Sequence, residues 1–146
     1  MSRDSVLFLC TGSSARSQMA EAFLRELAGD RYEAYSAGLD PRPIHPLTYR
    51  VMREVGFHLG GHTSKSVRNF LGRCHFGYVI TVCDQAEKNC PTTFPGHPVR
   101  LHWSFPDPSG AAGSEAGRLA VFRDVRDAIR AQVVRFLEIP VRGSEV

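Results

Sequence analysis

A cysteine and an arginine, Cys10 and Arg16, stand six positions apart near the start of the chain. The residues between them are small or hydroxylated, and a serine follows; the segment reads Cys10, Thr11, Gly12, Ser13, Ser14, Ala15, Arg16, Ser17. Small residues allow consecutive backbone N–H groups to turn toward one anion, and an arginine presents a planar fork to two anion oxygens. The segment therefore predicts a loop that binds a tetrahedral oxyanion through residues 11–17.

The sulfur of Cys10 is the predicted nucleophile of this loop. The start of the following helix, the surrounding amide donors, the charge of Arg16 and the Ser17 hydroxyl each favour a thiolate, so we expect the pKa of Cys10 to lie below its ordinary value. A thiolate held against a phosphate-shaped anion can attack its central atom. The alternative is a buried structural cysteine beside a surface arginine.

Two further cysteines, Cys83 and Cys90, are predicted to act with Cys10. Cys83 follows the third predicted strand, so in a parallel sheet it emerges at the same edge as Cys10. Asp84 and Glu87 form a capping-box pattern that predicts a short helix running toward Cys90. Because a short polar helix is only marginally stable, it can unwind and allow the two thiols to meet.

Other interpretations of these cysteines stay open. The alternatives for the pair are two unconnected thiols or a zinc site completed by a histidine: His75, His97 or His102. The spacing of the pair exceeds that of structural zinc sites, so we predict no metal. Cys74 precedes the third strand and is expected at the opposite edge of the sheet, without a role in the chemistry.

Asp107 lies between two prolines just past the fourth predicted strand, again at the carboxyl edge. The prolines stiffen its backbone, and its carboxyl group is a candidate acid that protonates a leaving oxygen. A turn aspartate without a catalytic role fits the same tripeptide.

Strands and helices alternate along the chain, which predicts an α/β fold around a parallel sheet. The predicted strands are Val6–Leu9, Tyr32–Ala37, Tyr78–Val82 and Val99–Trp103. The predicted helices follow apolar stripes in residues 20–27, ending at Gly29, in residues 47–55, and from Ser114 to before Pro140, with a short helix from Thr63 through Leu71. Along the last stripe, three arginines are expected on a solvated face: Arg123, Arg126 and Arg130.

Length and composition indicate one globular domain over residues 1–146. The chain has 42% hydrophobic residues and a net charge of +3 spread along its length, so neither a nucleic acid nor a membrane is predicted as a partner. The first apolar run, Val6–Leu9, is too short for a signal peptide or a membrane span, so a cytoplasmic protein is expected. No apolar heptad pattern is visible, which makes a monomer the expectation.

At these residues the sequence resembles the thioredoxin-coupled arsenate reductases that are built on the low-molecular-weight tyrosine phosphatase fold. The resemblance covers nearly the whole chain. It is carried by Val6–Gly12, Gly38, His62–Ser66, Tyr78–Asp84, His102–Pro108 and the last helix. It implies a four-stranded parallel sheet in the order 2-1-3-4.

The resemblance also implies a mechanism and its partners. Cys10 would attack arsenate held by the loop amides and Arg16, with Asp107 assisting departure of hydroxide. Cys83 would then attack Cys10, releasing arsenite, and Cys90 would attack Cys83. Thioredoxin, as external reductant, would reduce the Cys83–Cys90 disulfide without any bound cofactor, while phosphate or sulfate would compete with arsenate.

The sequence departs from the family pattern at Ser13, where members commonly carry asparagine. This bears on the rigidity of the loop and on any associated potassium site, and leaves the nucleophile untouched. Two rival functions remain. A low-molecular-weight tyrosine phosphatase needs only Cys10, Arg16 and Asp107, and a non-catalytic thiol module would bind arsenite or zinc without turnover.

Overall fold

Four strands form one parallel sheet. The computed structural model describes residues 3–70, 75–89 and 98–138. The strands are β1 (Asp4–Cys10), β2 (Tyr32–Gly38), β3 (Tyr78–Thr81) and β4 (Val99–His102), in the order β2-β1-β3-β4. The predicted α/β class and strand order are confirmed. All neighbouring pairs are parallel, so the carboxyl ends of β1, β3 and β4 meet at one edge of the sheet.

Helices cover both faces of this sheet. They are α1 (Arg16–Ala28), α2 (Pro46–Glu54), α3 (Asp84–Asn89) and α4 (Glu115–Leu137), with single 3₁₀ turns at Val67–Asn69 and Pro108–Gly110. None of the helices in the described part of the chain is long and apolar enough to cross a membrane.

The helix predicted from Thr63 through Leu71 is wrong in extent. Only the turn Val67–Asn69 forms, and Leu71 lies outside the described residues. The segment before this turn is extended because the Lys65 carbonyl accepts a hydrogen bond from the Gly38 N–H at 2.8 Å, which joins it to the end of β2. Ser66 then begins the turn, since its hydroxyl accepts from the Arg68 N–H.

The core lies around β1, whose residues Val6–Leu9 are fully buried. This is the burial expected of a central parallel strand covered on both faces, and it explains the continuous apolar run in the sequence. Apolar side chains from α1 and α4 complete the core, among them Met19, Phe23, Leu24, Phe122 and Ile129. A rigid β1 fixes the position of Cys10 at its end.

Arg126 does not lie on a solvated face as predicted. Its side chain is only 10% exposed, and its guanidinium donates to the Val51 carbonyl at 2.9 Å and to Glu54 at 3.0 Å. Helix α4 packs against the last turn of α2, where carbonyl groups lack helical partners, and Arg126 supplies a donor. Arg123 also pairs with Glu54, from an exposed position.

Replacement of Arg126 by methionine should destabilise the fold. The substitution keeps an apolar stem but leaves the buried Val51 carbonyl without its donor, so the free energy of unfolding should fall by about 1–3 kcal/mol. Urea denaturation measures the change. Arg135→Met is the matched control, because Arg135 is exposed on the same helix and, within the described part of the chain, its side chain bonds to Gln132 alone. An equal effect of both substitutions would contradict the assigned role of Arg126.

Candidate active site

The loop between β1 and α1 turns its carbonyl groups away from its centre. Each carbonyl of residues 10–14 accepts a hydrogen bond from a donor outside the loop. The donors, in order along the loop, are Leu39 N (3.0 Å), Asp40 N (2.8 Å), Arg42 N (2.9 Å), Gln18 Nε2 (3.1 Å) and His45 N (3.0 Å). A backbone fixed in this way presents its N–H groups on the opposite, inner side.

Those inner N–H groups are available to a ligand. Within the described ranges, the N–H groups of Gly12 through Arg16 have no protein acceptor. Helix α1 also begins without a side-chain cap, because its N-cap residue is Ala15. An uncapped helix start carries unsatisfied donors and a partial positive charge, both of which favour an anion. The loop is therefore arranged to bind an oxyanion.

A cavity of about 280 Å³ opens above this loop. It is lined by Cys10, Thr11, Gly12, Ser14, Ala15, Arg16, Arg42, Asp107 and Ser109. Most of the predicted site residues are thus brought together. The hydroxyl groups of Ser13 and Ser17 are not at the cavity: they bond to each other at 2.8 Å, fully buried behind the loop. The Ser17 hydroxyl, which was predicted to favour the Cys10 thiolate, is bonded to Ser13 instead.

Ser13 adopts the left-handed backbone conformation, with φ of 53°. Such a φ is uncommon for a residue other than glycine, asparagine or aspartate, so the surroundings must hold it. Gln18 does so, since its Nε2 donates to both the carbonyl and the hydroxyl of Ser13. The same amide nitrogen reaches the Thr63 carbonyl at 3.1 Å. The loop is braced here without the asparagine that the family commonly carries.

Gly38 permits the close approach of β2 to the loop. A Cβ atom at this position would lie 2.8 Å from the Thr11 carbonyl oxygen, closer than real Cβ contacts come. Glycine is therefore required for Leu39 and Asp40 to reach the loop carbonyls.

Arg16 and Asp107 face each other across the cavity. Arg16 Nη1 donates to the Phe105 carbonyl at 3.1 Å, which orients the guanidinium, and its Nη2 lies 3.7 Å from Asp107 Oδ2. Asp107 Oδ1 accepts from the Ser109 N–H at 3.0 Å and hydroxyl at 2.7 Å. One carboxylate oxygen of Asp107 therefore stabilises the turn, and the other faces the oxyanion cavity. This position is compatible with both the turn role and the acid role considered from the sequence.

Cys10 and Cys83 lie together beneath the loop, both buried. The Cys83 sulfur is 3.4 Å from Thr11 Oγ1 and accepts from the Ala86 N–H at 3.4 Å. The hydrogen bond with Cys10, aided by those with Thr11 and Ala86, lowers the pKa of Cys83 to about 5. The same hydrogen bond with Cys83, together with burial, raises the pKa of Cys10 despite the nearby charge of Arg16.

This distribution differs from the predicted ionisation of Cys10. The interaction between the two thiols raises the pKa of Cys10 and lowers that of Cys83, so the pair titrates as one coupled unit. Cys83 also lines a second cavity, of about 440 Å³, on the other side of Arg16 and Asp107. The lower-pKa sulfur is therefore reachable from a direction that does not pass through the oxyanion loop.

Cys74, Cys90 and His97 lie outside the described residues. Among residues 3–70, 75–89 and 98–138, no group of three His, Cys, Asp or Glu side chains is placed to hold a metal ion.

Sequence reasoning missed Arg42 and Ser109 at the rim of the cavity. Arg42 carries a largely exposed side chain that lies against Gly12, 3.6 Å from where a Cβ atom would stand. Its position in a Pro-Arg-Pro turn after β2 was the available signal, since that turn follows a strand at the ligand-binding edge. Ser109 follows the Asp-Pro pair in the order typical of a capping turn.

Comparison with known proteins agrees with this geometry. Residues 5–142 match the family model described as low molecular weight phosphotyrosine protein phosphatase. An arsenate reductase of Shouchella clausii is 41% identical over 139 residues, covering 94% of this chain and 98% of that protein. These matches confirm the resemblance stated from the sequence.

Solved structures give the same result. An arsenate reductase in the phosphate binding state superposes with a TM-score of 0.73 at 30% identity, covering 92% of this chain and 97% of that one. A Corynebacterium glutamicum thioredoxin-dependent arsenate reductase has a TM-score of 0.67 at 26% identity, over 93% of this chain and 61% of that one.

The sulfur pair should ionise well below the ordinary range of a thiol. We expect thiolate absorbance at 240 nm to appear with a midpoint near pH 5, because Cys83 has its pKa lowered to about 5. Cys10→Ser should shift the midpoint upward, since the interaction that most lowers the pKa of Cys83 is lost. Cys83→Ser should lower the pKa of Cys10, since the partner that most raises it is lost. A midpoint that is the same in Cys10→Ser as in the wild type would contradict the assignment.

Proposed function

Since the chain belongs to the low molecular weight phosphotyrosine protein phosphatase family, we propose that it is the arsenate-reducing kind of member: an enzyme that converts arsenate to arsenite with Cys10, Cys83 and Cys90 and is recycled by thioredoxin. The curated relatives named arsenate reductase support this substrate. The observation that carries the proposal is a second buried cysteine at the oxyanion loop: Cys83 lies with its sulfur 3.4 Å from Thr11 Oγ1 and interacts with Cys10. A phosphatase needs the first sulfur and forms no bond to the second.

The first step joins sulfur to arsenic. Arsenate enters the loop, where the free N–H groups and Arg16 hold its oxygens. As the Cys10 sulfur attacks arsenic, its proton passes along the hydrogen bond to the Cys83 thiolate. The bond from arsenic to one hydroxyl breaks, and Asp107 supplies a proton so that this group leaves as water.

The second step reduces arsenic. Cys83 attacks the sulfur of Cys10, a disulfide forms, and the electron pair of the broken sulfur–arsenic bond stays on arsenic, which becomes arsenite. The proton of Cys83 leaves with the arsenite oxygens. Two thiols have lost two electrons and arsenic has gained them. The contact between the two sulfurs in the free protein supports this order of events.

The third step regenerates the site. We propose that Cys90 attacks Cys83, giving a Cys83–Cys90 disulfide and freeing Cys10. Helix α3, only six residues long, connects the two positions and is short enough to unwind. Thioredoxin then reduces the disulfide at the surface; the similarity to the Corynebacterium glutamicum protein, a thioredoxin-dependent arsenate reductase, supports this choice of reductant. We also propose that the enzyme acts in the cytoplasm as a monomer.

Phosphomonoester hydrolysis is the alternative function and is expected as a side reaction. The family model and the set of Cys10, Arg16 and Asp107 support it. Among the described residues, those lining the oxyanion cavity include no aromatic side chain to stack on a phosphotyrosine ring, which favours a small inorganic substrate.

The decisive test is arsenate-dependent oxidation of NADPH in the presence of thioredoxin and thioredoxin reductase, run beside hydrolysis of p-nitrophenyl phosphate. Arsenate should drive oxidation, and Cys83→Ser should abolish it while retaining hydrolysis at a similar rate, because only reduction uses the second sulfur. If arsenate gives no oxidation and hydrolysis is fast and indifferent to Cys83, the protein is a phosphatase.

A Cys90→Ser variant should stop the reaction after its second step. It should release roughly one equivalent of arsenite per protein and then stop as the Cys10–Cys83 disulfide, because no thiol remains to resolve it. Quantified arsenite and mass spectrometry of the alkylated protein measure both quantities. Sustained turnover with thioredoxin as the only reductant would show that Cys90 is dispensable.

A further inference from the structure

One imidazole ring contacts the chain on both sides of Cys83. Nδ1 of His102 lies 2.8 Å from Thr81 Oγ1, and Nε2 lies 3.1 Å from Asp84 Oδ1. Thr81 is two residues before Cys83 and Asp84 is the residue after it. The ring therefore ties the end of β3 and the start of α3 to the end of β4.

A second side chain from the same segment strengthens this contact. The Ser104 hydroxyl donates to Asp84 Oδ1 at 3.0 Å. This carboxylate oxygen therefore accepts from His102, the last residue of β4, and from Ser104, just after it. These hydrogen bonds, that of Ser104 first, lower the pKa of Asp84. The carboxylate is thus held as an acceptor over the neutral pH range.

The clamp of His102, Thr81 and Asp84 persists whether or not the ring is protonated. In a neutral ring, Nε2–H donates to Asp84 and Nδ1 accepts from the Thr81 hydroxyl. In a protonated ring both nitrogens donate, and the Thr81 hydroxyl can turn to the Leu101 carbonyl, 3.4 Å away. Among the described residues, the groups whose charge acts on Asp84 are His102, when protonated, and Lys88.

The clamp contributes by fixing the position of the chain around Cys83 rather than by adding stability. Asp84 is 74% exposed, and an ion pair so open to water adds little stability. Thr81, by contrast, is buried, so the ring is anchored at one end in the core and at the other on the first residue of α3. Cys83 lies between these two anchors and is itself held by Thr11 and Ala86.

We propose that His102 is a positioning residue that holds Cys83 in line with Cys10 for disulfide formation. The inference rests on the proposed arsenate reduction and adds a residue to it. In that step the Cys83 sulfur attacks the Cys10 sulfur and arsenite leaves with the electron pair of the sulfur–arsenic bond. A displacement of about 1 Å at such a reacting atom can slow a reaction roughly 100-fold. The hydrolysis of phosphomonoesters, which does not use Cys83, should be insensitive to the clamp.

The test compares three substitutions of His102 in the full chain. His102→Ala removes both contacts, His102→Gln retains a donor near the Nε2 position, and His102→Asn retains a group near Nδ1. Arg100→Ala is the matched control, because Arg100 is exposed on the same strand. Each variant is made in a Cys90→Ser background, so that the Cys10–Cys83 disulfide accumulates. Rapid quench with a thiol reagent, after mixing with arsenate alone, gives the rate at which this disulfide forms, and hydrolysis of p-nitrophenyl phosphate measures the function of the oxyanion loop.

We expect His102→Ala to slow disulfide formation about 10- to 100-fold while hydrolysis changes less than about twofold. The Gln and Asn variants should lie between alanine and wild type. Equal slowing of both reactions would show general damage to the site and overturn the proposal, as would an unchanged rate of disulfide formation.

Asp84→Ala guards against a His102 variant that fails to fold. It removes the acceptor at the exposed end of the clamp, and the same separation of the two rates is expected. If the two rates do not separate in Asp84→Ala or in the folded His102 variants, the proposal is wrong. Wild-type protein is measured first: a wild type that hydrolyses p-nitrophenyl phosphate but forms no disulfide with arsenate refutes the proposed function itself.

Discussion

The outward hydrogen bonding of the loop carbonyls is the constraint on which the rest of the structure depends. A loop of small residues has no intrinsic reason to turn its N–H groups inward, and buried carbonyls left unpaired would oppose it. Backbone N–H groups of residues 39–45 supply four donors, and the side chains of Gln18, Thr48 and Ser64 supply the others. The strand β2, the glycine at position 38 and the turn that follows are therefore part of the anion site, although only Arg42 of that stretch touches the cavity.

The ionisation of Cys10 depends on the Cys83 thiol as well as on the loop around it. Arg16 and the amide groups do favour the Cys10 thiolate, as the sequence suggested, but a second thiol in hydrogen-bonding contact competes for the same charge. Cys83 has the better acceptor position, at the start of α3 and beside the Thr11 hydroxyl. In the proposed mechanism the charge moves to Cys10 when this sulfur attacks arsenic. Cys83 then becomes the attacking sulfur in the proposed second step.

Much of the fold and of the site followed from the sequence because it depends on local pattern and on sheet geometry. The buried run of β1 placed Cys10, and the rule that parallel strands end at one edge placed Asp107 near Arg16 and Cys83 near Cys10. What escaped prediction depends on individual side-chain contacts, most of them between residues distant in sequence. The pairing of Ser13 with Ser17, braced by Gln18, is a local contact. The burial of Arg126 needs the end of α2, and the pKa of Cys10 depends on a sulfur that follows β3. None of these leaves a periodic signal.

The uncapped start of α1 links ligand binding to the stability of the whole domain. Serine, threonine, aspartate and asparagine are preferred at the N-cap because their side chains accept hydrogen bonds from the first turn. Helix α1 has Ala15 at this position, so an anion from solution must supply the acceptors. Any tetrahedral anion that occupies the loop supplies the missing acceptors, so by mass action the folded population grows with anion concentration. A phosphate ion held in the loop would thus stabilise the folded protein. The helix lacks the stabilisation that an N-cap side chain would give, and a bound anion from solution supplies it instead.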